Sequence, residues 1–92
     1  MLELHRTSQF KKDLKRVLKR NLPVHILDDI ILKLREQKPL DPKHRDHALI
    51  GNFAGFRECH ILPDWLLIYK IDKGNLILTA SRTGTHSDLL EK

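Results

Sequence analysis

The second half of the chain gathers the residues that can do chemistry. They are His47, Glu58, His60, Asp64, Arg82 and His86, so three of the six histidines are among them. Histidine titrates near neutral pH, and two of them can share the roles of general base and general acid. Arginine is permanently charged, and its planar fork matches phosphate geometry. RNA supplies its own nucleophile, the 2′-hydroxyl. Metal-free cleavage of RNA needs a base for that hydroxyl, a cation for the charged phosphorane and an acid for the leaving 5′-oxygen. This set contains all three. Taken singly, each histidine reads more often as a hydrogen-bonded structural residue, and Arg82 as an ion-pair partner. The case for chemistry therefore rests on convergence.

Other polar candidates carry less. His5 and His25 have no such company and read as surface or packing residues. His44 stands three residues before His47, which raises a metal alternative. The spacings of His47, His60 and His86 match no compact zinc pattern, and no cysteine pair exists, so neither a metal nor another cofactor is expected. Cys59 is the only cysteine, which excludes an internal disulfide. It lies within a predicted strand and reads as a core thiol.

Convergence depends on the elements that carry these residues. "GFRECHIL" alternates, with Phe56, Glu58 and His60 on one face and Arg57, Cys59 and Ile61 on the other. "DWLLIYKI" is almost wholly apolar, as in a central strand covered on both faces. "LPD" before it and "DKGN" after it are turn signals, and "LILTASR" is the next strand, so a meander is predicted. In a meander the His60 end of one strand adjoins the Asp64 start of the next. Arg82, at the end of the antiparallel third strand, then lies near Asp64. Gly84 allows the tight turn that brings His86 back, with Leu89 or Leu90 to pin the tail.

Upstream, "LELH" reads as a short N-terminal strand. "TSQFKKDLKRVLKR" reads as a helix with Phe10, Leu14, Val17 and Leu18 on one stripe and Thr7 or Ser8 as its cap. After the "NLP" break, Ile26, Leu27, Ile30, Ile31 and Leu34 form the stripe of a second helix. The segment "KPLDPKHRDHALIGN" is expected to be a loop with a short extended piece around Ala48–Ile50. The order is strand, helical hairpin, then an antiparallel meander in a three- to four-stranded sheet. That is an α+β fold in one domain over 1–92, with both helices on one sheet face and the other face open.

Composition bounds the partners. The chain has 92 residues, 40% hydrophobic and 32% charged, which fits a folded soluble domain with a modest core. No apolar stretch approaches the roughly 20 residues of a membrane span, and "MLELHRTSQF" has no signal core, so a cytoplasmic protein without membrane contact is expected. The net charge is +5, and residues 1–45 hold 12 Lys/Arg against 6 Asp/Glu. Lys11, Lys12, Lys15, Arg16 and Lys19 crowd the first helix. A basic half of this kind is either a solvated face or a grip for a polyanion.

The segment "DHALIGNFAGFRECHILPDWLLIYKI" followed by "SRTGTH" resembles the YafQ-type toxins of bacterial type II toxin–antitoxin systems, within the RelE/ParE superfamily. With the helical hairpin, the resemblance covers nearly the whole chain. It implies an endoribonuclease that cuts translated mRNA in the ribosomal A site by metal-independent 2′-hydroxyl attack. The products are a 2′,3′-cyclic phosphate and a 5′-hydroxyl. It assigns catalysis to His47, His60, Asp64, Arg82 and His86, with His86 favoured as acid or base. Trp65 matches an aromatic beside the site, which either stacks on a base or packs in the core. Glu58 sits where relatives often carry Asp. Leu90 replaces an aromatic that relatives commonly carry at the site. The resemblance also gives the basic first helix a role against ribosomal RNA, and implies a cognate DinJ/RelB-like antitoxin as partner. Two other readings stand beside this one. A ParE-like inhibitor of DNA gyrase would lack the histidine set, and an inactive homologue would only bind an antitoxin or RNA.

Overall fold

The computed structural model describes residues 1–90, the side chain of Leu90 excepted. The strands are β1 (Glu3–Arg6), β2 (His47–Ala48), β3 (Arg57–Leu62), β4 (Trp65–Asp72) and β5 (Ile77–Gly84). The helices are α1 (Ser8–Lys19), α2 (Val24–Arg35) and α3 (His86–Leu90). The strands form one sheet in the order β1-β5-β4-β3-β2. The expected meander is its antiparallel centre. The N-terminal strand joins it beside β5 and runs parallel to it, from Glu3 opposite Ile77 to Arg6 opposite Ala80. The sheet is therefore mixed. A parallel neighbour needs a crossover connection, and here the helices and the meander supply it. The extended piece before β3 pairs one residue earlier than expected, His47 with Glu58 and Ala48 with Arg57.

Both long helices lie on one sheet face, and their apolar stripes close the main core. Phe10, Val17, Leu27, Ile30 and Leu34 bury against Cys59, Ile61, Trp65, Leu67, Tyr69, Leu78 and Ala80. Thr7 caps α1, its hydroxyl accepting the Phe10 N–H at 3.0 Å and donating to the Ser81 carbonyl at 2.8 Å. The α1 stripe departs from expectation at two positions. Leu18 is 52% exposed, whereas Asp13 is 1% exposed and faces the core between Phe10 and Val17. A buried carboxylate must have its lone pairs filled. Asp13 accepts from Gln9 at 3.0 Å, from Arg82 Nε at 2.8 Å and from the Thr83 N–H at 3.2 Å.

A bulge explains how β5 delivers these groups. Ile68 pairs with Arg82 and Tyr69 with Ala80, so Ser81 is the extra residue. The insertion reverses the inward–outward alternation. Leu78 and Ala80 face the helices before it, and Thr83 does so after it, taking the Trp65 indole N–H at 2.8 Å.

The opposite face is not open along its length. Leu66, Ile68 and Leu89 form a second small core with Leu49 and Phe56 against it, so α3 folds onto the sheet. Burying a leucine is worth roughly 1.5–3 kcal/mol, a sizeable anchor for a helix of five residues. Leu89 provides the predicted pin, while the Leu90 side chain lies outside the described residues. Among the described residues, no helix is long and apolar enough to cross a membrane.

Candidate active site

Local sequence builds the site from the end of β5. Gly84 has φ 154°, and a β-carbon there would come within 2.9 Å of the Asp88 side chain. Only glycine suits both conditions. "THSD" then closes a capping box: the Thr85 hydroxyl accepts the Asp88 N–H at 3.1 Å, and the Asp88 carboxylate accepts the Thr85 N–H at 3.0 Å. From α1, Arg20 reaches Asp88 through Nη1 at 2.6 Å and Nη2 at 3.2 Å, and Arg16 lies 3.2 Å from the same carboxylate. Hydrogen bonds from Arg20 and Thr85 hold the Asp88 carboxyl far below the usual carboxylate range. α3 thus starts at one fixed place, and its first residue is His86.

Asp64, in the β3–β4 turn, takes the His86 ring at Nδ1 (2.6 Å) and the His86 backbone N–H (3.1 Å) on one oxygen. The ring hydrogen bond, then the backbone one, pushes the Asp64 carboxyl below its ordinary value. The His60 ring lies 5.7 Å from that of His86, centroid to centroid, tilted by 54°. Its Nδ1 faces the Pro63 carbonyl at 3.3 Å. Further along the same face, His47 directs Nδ1 to the Arg45 carbonyl at 2.7 Å, and its Nε2 is 3.6 Å from Glu58 Oε1.

The partners decide the tautomers. A carbonyl or an ionised carboxylate only accepts, so Nδ1 carries the hydrogen in His47, His60 and His86. The second nitrogen, Nε2, is then left in His60 and His86 for a proton to be taken or given, while in His47 it faces the Glu58 carboxylate. Aspartate below an imidazole also fixes its orientation and stabilises the imidazolium when Nε2 is protonated.

The structure brings His60, Asp64 and His86 together, with His47 and Glu58 adjoining as a cross-strand pair. Arg82 does not join them as expected. The buried Asp13 draws its guanidinium toward α1, where Nε and Nη2 are both engaged. Trp65 is 1% exposed and hydrogen-bonded to Thr83, so it packs in the core and offers no face for a base. Lys11, Lys12, Lys15 and Lys19 are exposed on α1 as the sequence implies, whereas Arg16 is drawn to Asp88. Cys59 is buried, and burial pushes its thiol up to about 12, which leaves it inert at neutral pH. Among the described residues no group of three His, Cys, Asp or Glu side chains stands close enough to hold a metal.

Asp13 and Asp88 were not singled out by sequence reasoning, and His44 was raised only as a metal partner for His47. The capping box at Thr85–Asp88 was legible as a motif. So was a lone aspartate on the apolar side of a lysine-rich helix.

Comparison with known proteins completes the picture. A family model described as "Bacterial toxin of type II toxin-antitoxin system, YafQ" matches residues 2–91. This chain belongs to the YafQ family of bacterial toxins. The mRNA interferase toxin YafQ of Escherichia coli K12 is 37% identical over 89 residues, covering 95% of this chain and 94% of that one. Among solved structures, a metal-bound toxin from Helicobacter pylori superposes with a TM-score of 0.91 at 40% identity, covering 97% of this chain and 99% of that one. YafQ in the E. coli DinJ–YafQ complex gives 0.87 at 34% identity, covering 97% and 98%. The YafQ family assignment accounts for the strand–helix–helix–meander order seen here.

Proposed function

We propose that this YafQ-family chain acts as one domain in the cytoplasm, as an endoribonuclease that cleaves translated mRNA in the ribosomal A site. The observation that carries the reading is the pair His60–His86. Both rings are held through Nδ1, and both keep Nε2 for proton transfer. Their 5.7 Å separation puts both rings within reach of one scissile phosphate lying across them. One imidazole takes the 2′-hydroxyl proton as O2′ attacks phosphorus. The other gives a proton to O5′ as the P–O5′ bond breaks. The products are a 2′,3′-cyclic phosphate and a 5′-hydroxyl, and no metal takes part. Asp64 at His86 favours that ring as the proton donor. His47, when protonated, supplies positive charge toward the phosphorane. The exposed lysines of α1 hold phosphates of ribosomal RNA.

The relatives' names support mRNA as substrate, and the E. coli complex with DinJ supports a cognate antitoxin as the partner that restrains the toxin. Primer-extension mapping of cuts in a translated message, with and without ribosomes, tests the reading. Cuts are expected only with ribosomes, in EDTA as well as in its absence, and none from the His86→Ala variant. Growth arrest by a well-folded His86→Ala variant equal to wild type would refute the assignment. An early arrest of DNA replication rather than translation would instead indicate a gyrase inhibitor.

A further inference from the structure

His44 is a buried titratable residue that the chemistry above leaves unused. It is 8% exposed, and its Nδ1 donates to the His60 carbonyl at 2.6 Å. That bond fastens the turn at Pro42–His44 to the strand carrying His60. The turn is further closed by the Asp41 carboxylate on the Lys43 N–H (3.1 Å) and by the Arg45 N–H on the Pro42 carbonyl (3.1 Å). Arg45 is thereby held at φ 47°, a left-handed conformation seldom used by a side chain of this size. Lys43 and Arg45 are thus exposed cations on a built turn.

Between this turn and α2 runs a cleft of about 730 Å³ that opens onto His60 and His86. Lys33 lines it from α2, and Ile26, Leu62 and Pro63 give it an apolar floor. Asp29 is the only carboxylate on it among the described residues. Arg16, Arg20, Arg57 and Arg82 each pair with an aspartate, but Lys33, Lys43 and Arg45 make no ion pair among the described residues. Three uncommitted cations around an apolar floor, next to the histidine pair, match one phosphate-linked nucleotide. A base has an apolar face to rest on, and its phosphate needs charge.

We propose that this cleft is a nucleotide subsite that holds the residue flanking the scissile phosphate. Its base lies on Ile26, Leu62 and Pro63, and its phosphate lies among Lys33, Lys43 and Arg45. The subsite rests on the ribonuclease reading and adds to it where the strand runs and which residues sense the neighbouring nucleotide.

The test titrates a short fluorescent oligoribonucleotide, made uncleavable by a 2′-deoxy sugar at the cut position. The proteins are wild type and the combined Lys33→Gln, Lys43→Gln, Arg45→Gln variant, at several salt concentrations. Affinity is expected to fall about tenfold or more at low salt. The log–log salt slope is expected to fall by about 0.7, the value for one lost phosphate contact on a single strand. Lys73→Gln, in the exposed β4–β5 turn outside the cleft, is expected to leave both quantities unchanged. Shortening the RNA by the flanking nucleotide should erase the difference between wild type and the triple variant. Unchanged affinity and slope in the triple variant overturn the subsite, as does a wild type that does not bind at low salt. A triple variant that loses an acidic antitoxin segment but keeps RNA marks the cleft as a peptide site and also overturns it. The ribonuclease reading is judged separately, by the loss of ribosome-dependent cuts in a translated message when His86 is replaced by Ala.

Discussion

The ring Nδ1 of His86 lies 2.6 Å from Asp64 Oδ1, and the same oxygen takes the His86 main-chain N–H at 3.1 Å. One carboxylate therefore sets both where α3 begins and which nitrogen of the imidazole faces outward. An exposed turn residue has become the orienting partner of an exposed histidine, because the chain on either side is fixed. β4 starts at Trp65 inside the core, and α3 is tied down by Leu89 and Asp88.

Replacing Asp64 by Asn keeps an oxygen acceptor and removes the charge. Cleavage of a translated message is expected to slow about 10- to 100-fold, at or below the low end of a general acid–base contribution because the imidazole itself remains. Asp64→Ala, which also releases the ring, is expected to slow it further. Trp65 fluorescence should be unaltered in both. Full activity of the Asn variant would mean that the carboxylate charge is not used.

The proton-donor role of His86 can be separated from other roles by changing the leaving group. An RNA with sulfur in place of the bridging 5′-oxygen expels a thiolate, which needs no proton. On that substrate the His86→Ala variant is expected to recover most of the rate lost on ordinary RNA, whereas His60→Ala recovers little. Rescue of His60→Ala instead would exchange the two assignments.

Acid should loosen α3 before the main core. Asp64 and Asp88 are both held below their ordinary carboxyl values in the fold. A depressed folded value means that the stabilisation is complete above the unfolded value of about 4 and is lost as pH falls from there toward the folded values. Hydrogen exchange at the Leu89 N–H, which donates to the Thr85 carbonyl, reports this. Its protection is expected to fall below about pH 4 while that of β4 amides persists. Asp88→Asn is expected to lower the protection at pH 7 and flatten its acid dependence. Equal acid sensitivity in wild type and variant would place the titration elsewhere.

The meander was legible because its pattern is local. Alternation in "GFRECHIL" places Cys59 and Ile61 inward and Glu58 and His60 outward, as found. The turn signals place His60 beside Asp64. The parallel docking of β1 on β5 was not legible, since nothing within "LELH" encodes a partner seventy residues away. Arg82 was misplaced for a related reason. Its guanidinium is drawn to Asp13 on α1, a partner sixty-nine residues earlier that nothing within "LILTASR" encodes. The uneven burial along α1 has the same root: Asp13 is inside only because Arg82 and the Thr83 N–H come to meet it from the other end of the chain.

That long-range pair makes the last prediction. Asp13 is 1% exposed, and its neighbours on the same face are Phe10 and Val17. Asp13→Ala leaves the Arg82 guanidinium partly buried without its counter-charge and the buried Thr83 N–H without its side-chain acceptor. Breaking one side of such a pair costs about 3–5 kcal/mol, a large part of the 5–15 kcal/mol that holds an ordinary domain together. Arg82 is itself 29% exposed, so the lower end is expected, about 3 kcal/mol, read as a shift in the urea midpoint at constant slope. Arg82→Ala leaves the Asp13 carboxylate buried, still with Gln9 and Thr83 but without its cation, and should destabilise as well. The double variant Asp13→Ala, Arg82→Ala should lose less than the sum of the two, because neither charge is then left behind. Strict additivity would show that the pair is not coupled, and that the buried aspartate is held by its backbone and Gln9 contacts alone.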